Sequence, residues 1–64
     1  MSEKKYRDAR KQAGIKLELA AVKLDVSIAT LLNWERGVTK PNANNVRDMA
    51  LLYGVTSDYL LGIT

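Results

Sequence analysis

The sequence predicts an all-α protein, a compact bundle of five short helices. Three observations carry that reading. Apolar residues recur at intervals of three and four, each of the four glycines follows a periodic stretch, and no segment shows the period-two alternation of a strand. Gly14, Gly37, Gly54 and Gly62 stand where the left-handed conformation that closes a helix favours glycine.

Helix 1 is expected from about Glu3 to Ala13, with Tyr6, Ala9, Arg10 and Ala13 sharing one face. Helix 2 covers Leu17 to Leu24. The Ser27 hydroxyl can accept a first-turn N–H and so cap helix 3, Ile28 to Arg36, whose inner face holds Leu31 and Trp34. The loop "GVTKPN" leads to helix 4, Ala43 to Tyr53; Pro41 disfavours an earlier start and Asn42 is the expected cap. Ala43, Val46, Met49, Ala50 and Tyr53 share its buried side, and Thr56 or Ser57 caps a last helix from Asp58 to Leu61. There is no internal repeat, low-complexity tract or linker, and 64 residues make one domain at most.

Composition narrows the function. No cysteine is present, so neither disulfides nor a thiolate metal site can supplement the core, and a reducing compartment is the natural setting. Histidine is absent too, which removes the usual zinc ligand and the side chain best suited to proton transfer near neutral pH. Asp8, Glu18, Asp25, Glu35, Asp48 and Asp58 are scattered over separate elements, and no glycine-rich phosphate loop accompanies them. The expectation is a non-enzyme without metal or cofactor. Apolar runs fall far short of the ~20 residues that span a bilayer, and "MSEKKYRDARK" lacks a signal-peptide core, so the reading is cytoplasmic.

Charge is unevenly placed. Residues 1–16 hold six cationic side chains against two acids, whereas residues 17–64 hold four against five. A basic front suits a nucleic-acid partner, although a Lys/Arg-rich first helix is by itself most often a solvated face.

Motif residues sharpen the reading. "GIKLELAAVKLDVSIATLLNWERG", Gly14 to Gly37, resembles the helix-turn-helix of the phage Cro and repressor class (XRE family), whose members typically show G-L-T-Q-x-x-L-A-x-x-x-G-V-S-x-x-x-I-S-x-W-E-x-G. The matching residues are Gly14, Ile15, Ala21, Leu24, Val26, Ser27, Leu31, Trp34, Glu35 and Gly37. "TKPN", the helix after it and "GVTSDYLLG" are similar to the family's later part, so the likeness runs from Tyr6 to Gly62. It implies a lambda-repressor-like DNA-binding domain with its helix-turn-helix at about 17–36. It also implies a transcriptional regulator, a phage or mobile-element repressor, that lays helix 3 in the major groove of an operator duplex, usually as a dimer.

By that resemblance Ala21, Leu24, Val26, Leu31 and Trp34 fix the angle between helices 2 and 3, and Arg10 is the helix 1 arginine that pairs with Glu35. The pair's expected role is positioning, with a guanidinium edge left for phosphate. With Leu31 and Trp34 inward, Ile28, Ala29, Thr30, Leu32, Asn33 and Arg36 lie on or beside the exposed side. The resemblance assigns base contacts to Ile28, Ala29, Thr30 and Asn33. Only Asn33 can make a bidentate pair, with adenine; Thr30 can donate a hydrogen bond, and Ile28 and Ala29 can touch a thymine methyl. An A·T-leaning site follows. Backbone contacts fall to Lys16, Leu17, Ser27, Arg36, Lys40, the amides at Asn42, and Arg10.

Two departures from the family pattern matter. Lys16 replaces a threonine cap, at a cost on the order of 1 kcal/mol. Leu17 replaces a glutamine and, facing Ile28, is expected to make an apolar contact that Leu32 extends into a patch. Leu19, Val22 and Leu51 also stand where the family is commonly polar. The alternative is therefore a protein-binding modulator or antitoxin-like module that engages another regulator through this face. In "SDYLLGIT", Tyr59, Leu60 and Ile63 offer apolar surface for a weak homodimer, the alternative being that two of them complete the core under helix 4, and both a complete small regulator and the DNA-binding part of a longer one fit the sequence.

Overall fold

A computed structural model describes residues 4–63 as five helices, with no strand among them. They are α1 (Tyr6–Gln12), α2 (Leu17–Leu24), α3 (Ile28–Arg36), α4 (Ala43–Tyr53) and α5 (Ser57–Leu61). α1 is shorter than the periodicity suggests. The Lys5 N–H donates to the Leu60 carbonyl at 2.8 Å, so the entering chain is tied to α5 before the helix begins, and no side chain caps it. Glu3, the expected start, lies outside the described residues, and Ala13, expected on the buried face, is the exposed C-cap.

The other boundaries follow local chemistry. Lys16 leaves α2 without a side-chain cap, as its side chain requires. Ser27 Oγ accepts the Thr30 N–H, Asn42 Oδ1 the Asn45 N–H, and Thr56 Oγ1 the Tyr59 N–H. The Thr56 cap places the start of α5 one residue before the expected Asp58. All four glycines have positive φ. At Gly37 (φ 78°) a Cβ would meet nothing within 4 Å, so a substitution there would be strained by the backbone itself and not by a neighbour. α2 instead closes on Asp25, at φ 59° and ψ 44°, the one non-glycine positive φ among the described residues. Its short polar side chain makes this conformation tolerable.

Each helix gives side chains to one core. Leu31, Met49 and Leu60 are its largest fully buried members, joined by Tyr6, Ala9, Ala20, Ala21, Trp34, Val46, Ala50 and Tyr53. Ala20 and Ala21 are small where α2 meets α3 and α4, which lets the backbones approach. Ala43 is a correction: it is exposed at the first position of α4, one turn before that helix reaches the core. Of the two alternatives for Leu60, surface or core, the structure has the core: the side chain is fully buried. None of the helices is long and apolar enough to cross a membrane.

Candidate nucleic-acid interface

The turn Asp25 to Ser27 joins α2 and α3, and the Val26 N–H returns to the Ala21 carbonyl at 3.0 Å. Leu31 and Trp34 then hold α3 by its inner face, with Leu24 and Val26 packed half-buried beside them. The opposite face is left outward.

An ion pair sets the back of α3 against α1. Arg10 Nε donates to Glu35 Oε2 at 2.7 Å and Nη2 to Oε1 at 3.1 Å, a two-pronged geometry that fixes orientation as well as distance. Nη1 donates to the Ile15 carbonyl at 3.0 Å, so the same guanidinium holds the entrance of α2. The hydrogen bond to Glu35 outweighs burial and raises the Arg10 pKa, keeping it charged. Each of its three nitrogens already donates inside the protein, and its side chain is 11% exposed. The pair therefore has the expected positioning geometry, with little guanidinium edge left over. Nearby, the Tyr53 hydroxyl is buried without a hydrogen-bond partner among the described residues. Burial, reinforced by Glu35 and opposed by Arg10, pushes this phenol up to about 12.

On the outward face, Ile28 is 47% and Leu32 37% exposed, and Ala29 is exposed beside them. Thr30 and Asn33 are half-buried, less open than helical geometry alone suggests. The Ser27 hydroxyl donates to Thr30 Oγ1 at 2.8 Å, which leaves the Thr30 proton free to donate outward. No side-chain hydrogen bond engages Asn33 among the described residues. Lys16, Arg36, Lys40 and Asn42 are exposed, and none of the three cations is in an ion pair among the described residues.

Leu17 turns toward the core and is half-buried against it, while Ile28 stays open; the patch is thus Ile28 and Leu32, with Leu17 behind. Leu17 and Leu32 line a concavity of about 530 Å³ whose remaining walls are Arg7, Arg10, Glu35 and Arg36. Arg7 was not singled out by the sequence, although it lies three residues before Arg10 and so on the same side of α1. Val38, 63% exposed in the loop after α3, was likewise missed, whereas Leu19, Val22 and Leu51 are exposed as their positions suggest. At the C-terminus Ile63 is exposed and Tyr59 half-buried.

A compact helical domain whose second and third helices form a helix-turn-helix, with cations around an open third helix, defines a class. A model of the helix-turn-helix family matches residues 7–60, and the chain belongs to that family, in its Cro/C1-type form. Over 59 residues it is 37% identical to the HTH-type transcriptional regulator ImmR of Bacillus subtilis (strain 168), a match covering 92% of this chain and 46% of that protein. The chain thus spans about half the length of this curated relative. The fold is also that of the P22 c2 repressor protein, whose crystal structure is a complex with synthetic operator 9T in the presence of Tl+. The two agree with a TM-score of 0.83 at 28% identity, over 94% of this chain and 91% of that one.

Proposed function

We propose that this chain is a sequence-specific DNA-binding transcriptional regulator, a repressor of phage or mobile-element type, acting in the cytoplasm as a single helix-turn-helix unit. The observation that carries the reading is the outward face of α3, held by the Arg10–Glu35 pair and flanked by exposed cations that form no ion pair among the described residues. The likeness to a repressor solved on its operator supports it.

In this reading Asn33 pairs with an adenine edge, Thr30 donates to a base or phosphate, and Ile28 and Ala29 lie against thymine methyls. Lys16, Arg36 and Lys40 hold the backbone, Ser27 joins them through its main-chain N–H because its hydroxyl proton goes to Thr30, and Leu17 shapes the entrance of α2 beside them. One first-turn amide of α4 is occupied by the Asn42 cap, and the remaining ones can hold a phosphate. Arg10 acts chiefly by orienting α3. Three to five neutralised phosphates per monomer would each steepen the logarithmic salt dependence by about 0.9. A second copy, docked weakly through Ile63 and Tyr59, supplies the other half-site. No cofactor and no catalysis enter this scheme.

The test separates readers from holders. Asn33→Ala should weaken binding to the preferred duplex by roughly 1–3 kcal/mol and relax preference at one base pair. Lys40→Ala should weaken binding to all sequences alike. Equal losses on specific and random DNA for Asn33→Ala would remove its assigned role.

A second reading, a protein-binding modulator, is favoured by one observation: Leu17 and Leu32 line a concavity walled partly by Arg7 and Arg36. It predicts that Leu32→Asp leaves DNA affinity unchanged while abolishing capture of a partner protein.

A further inference from the structure

Ile28 and Leu32 stand one turn apart on α3, 47% and 37% exposed, with Ala29 exposed beside them. Residues spaced i, i+4 lie one above the other, so the pair forms an apolar ridge along the outward face. Leu17, half-buried against the core, backs the ridge where it and Leu32 line the same concavity. The ridge carries no donor or acceptor. It is blind to the hydrogen-bonding groups that tell base pairs apart in the major groove, and the apolar feature available there is the methyl at C5 of thymine.

That methyl is not peculiar to thymine. 5-Methylcytosine carries it at the same ring position and differs at C4, where an amino group replaces an oxygen, a difference that aliphatic side chains do not sense. Unmodified cytosine and uracil lack it. We propose that the Ile28–Leu32 ridge senses C5-methyl groups of pyrimidines, so that this protein discriminates DNA by base methylation: thymine or 5-methylcytosine facing the ridge is accepted, unmethylated pyrimidines are not. The inference rests on the DNA-binding reading above and extends it to a modification of the DNA. Asn33 works independently, because a hydrogen bond to adenine does not depend on a pyrimidine methyl.

Burying one methyl is worth about fourfold in affinity. The experiment takes the duplex that the protein prefers from a random pool and replaces each thymine in turn with uracil, deleting the methyl and nothing else. At each sensitive position it then compares cytosine with 5-methylcytosine. Uracil should weaken binding about fourfold at one or two positions, and 5-methylcytosine should bind more tightly than cytosine there by a similar factor. Ile28→Ala and Leu32→Ala, both on exposed side chains and checked for helicity, should bring these ratios toward one; Asn33→Ala should leave them unchanged. Thymine-to-uracil ratios near one at every position, or ratios that survive both ridge substitutions, overturn the proposal while sequence-specific binding stands. If no duplex is preferred, the DNA-binding reading falls first and this proposal with it.

Discussion

Glu35→Gln should be among the most damaging substitutions available to this chain, although it changes one atom and almost no volume. The Glu35 side chain is 2% exposed and accepts both prongs of the Arg10 fork, while the rest of that fork is committed to the Ile15 carbonyl. Removing the negative charge leaves a guanidinium that cannot lose its proton inside the protein. Breaking a buried pair from one side costs about 3–5 kcal/mol, and a glutamine that still accepts one hydrogen bond places this case near the lower end. At roughly 0.05–0.15 kcal/mol per residue, a chain of 64 residues has only about 3–10 kcal/mol in total. Loss of about 3 kcal/mol corresponds to at least about 12 °C in midpoint for a domain of this size.

The assay is urea and thermal unfolding followed by circular dichroism on wild type, Glu35→Gln and the double variant Arg10→Met/Glu35→Leu. Replacing both members removes the stranded charge, so the double variant should recover most of the loss. A loss below about 1 kcal/mol for Glu35→Gln, or a double variant as unstable as the single, would refute the view that this pair is buried and mutually dependent.

Asp25→Gly should stabilise the fold by up to about 1 kcal/mol, because glycine takes the left-handed conformation of Asp25 without a Cβ penalty; equilibrium unfolding reads it directly. Tyr53→Phe removes a buried hydroxyl that has no partner among the described residues and should be neutral or stabilising by up to about 1 kcal/mol. The same substitution should flatten the alkaline limb of stability. With the folded phenol near 12 and an unfolded value of 10, Tyr53 adds no pH dependence below pH 10, and wild-type stability falls as pH rises from there toward 12, by about 2–3 kcal/mol over that window, because the buried hydroxyl resists the ionisation that the unfolded chain permits. Ser27→Ala should cost about 1 kcal/mol by leaving the Thr30 N–H uncapped, visible as a lower urea midpoint with an unchanged slope.

The helices were legible because their signals are local. Ser27, Asn42 and Thr56 cap where hydroxyl and amide chemistry favours it, and the positive-φ glycines sit where the periodic stretches end. What escaped the sequence depends on tertiary partners. The start of α1 is set by a hydrogen bond from Lys5 to Leu60, which no local pattern announces. Asp25 closes α2 without glycine; its signal was an aspartate where the family pattern carries glycine. On the site, the Arg10–Glu35 pair was foreseen through the resemblance, but not that Ile15 would occupy the third nitrogen. How far Leu17 and Ile28 are covered was not legible from the sequence, because that depends on the neighbours each helix start meets: Leu17 is half-buried against the core and Ile28 stays 47% exposed. Half-burial of Thr30 and Asn33 likewise reflects neighbours that periodicity does not weigh.

Selection from a random duplex pool, followed by titration of the preferred sequence at two salt concentrations, tests most directly whether the outward face of α3 reads DNA. The expected result is a recurrent two-fold motif rich in A·T pairs, with half-sites about one helical turn apart and affinity that falls steeply with salt. Weak, salt-sensitive binding with no enriched motif would contradict it, and would assign the Ile28–Leu32 face to a protein.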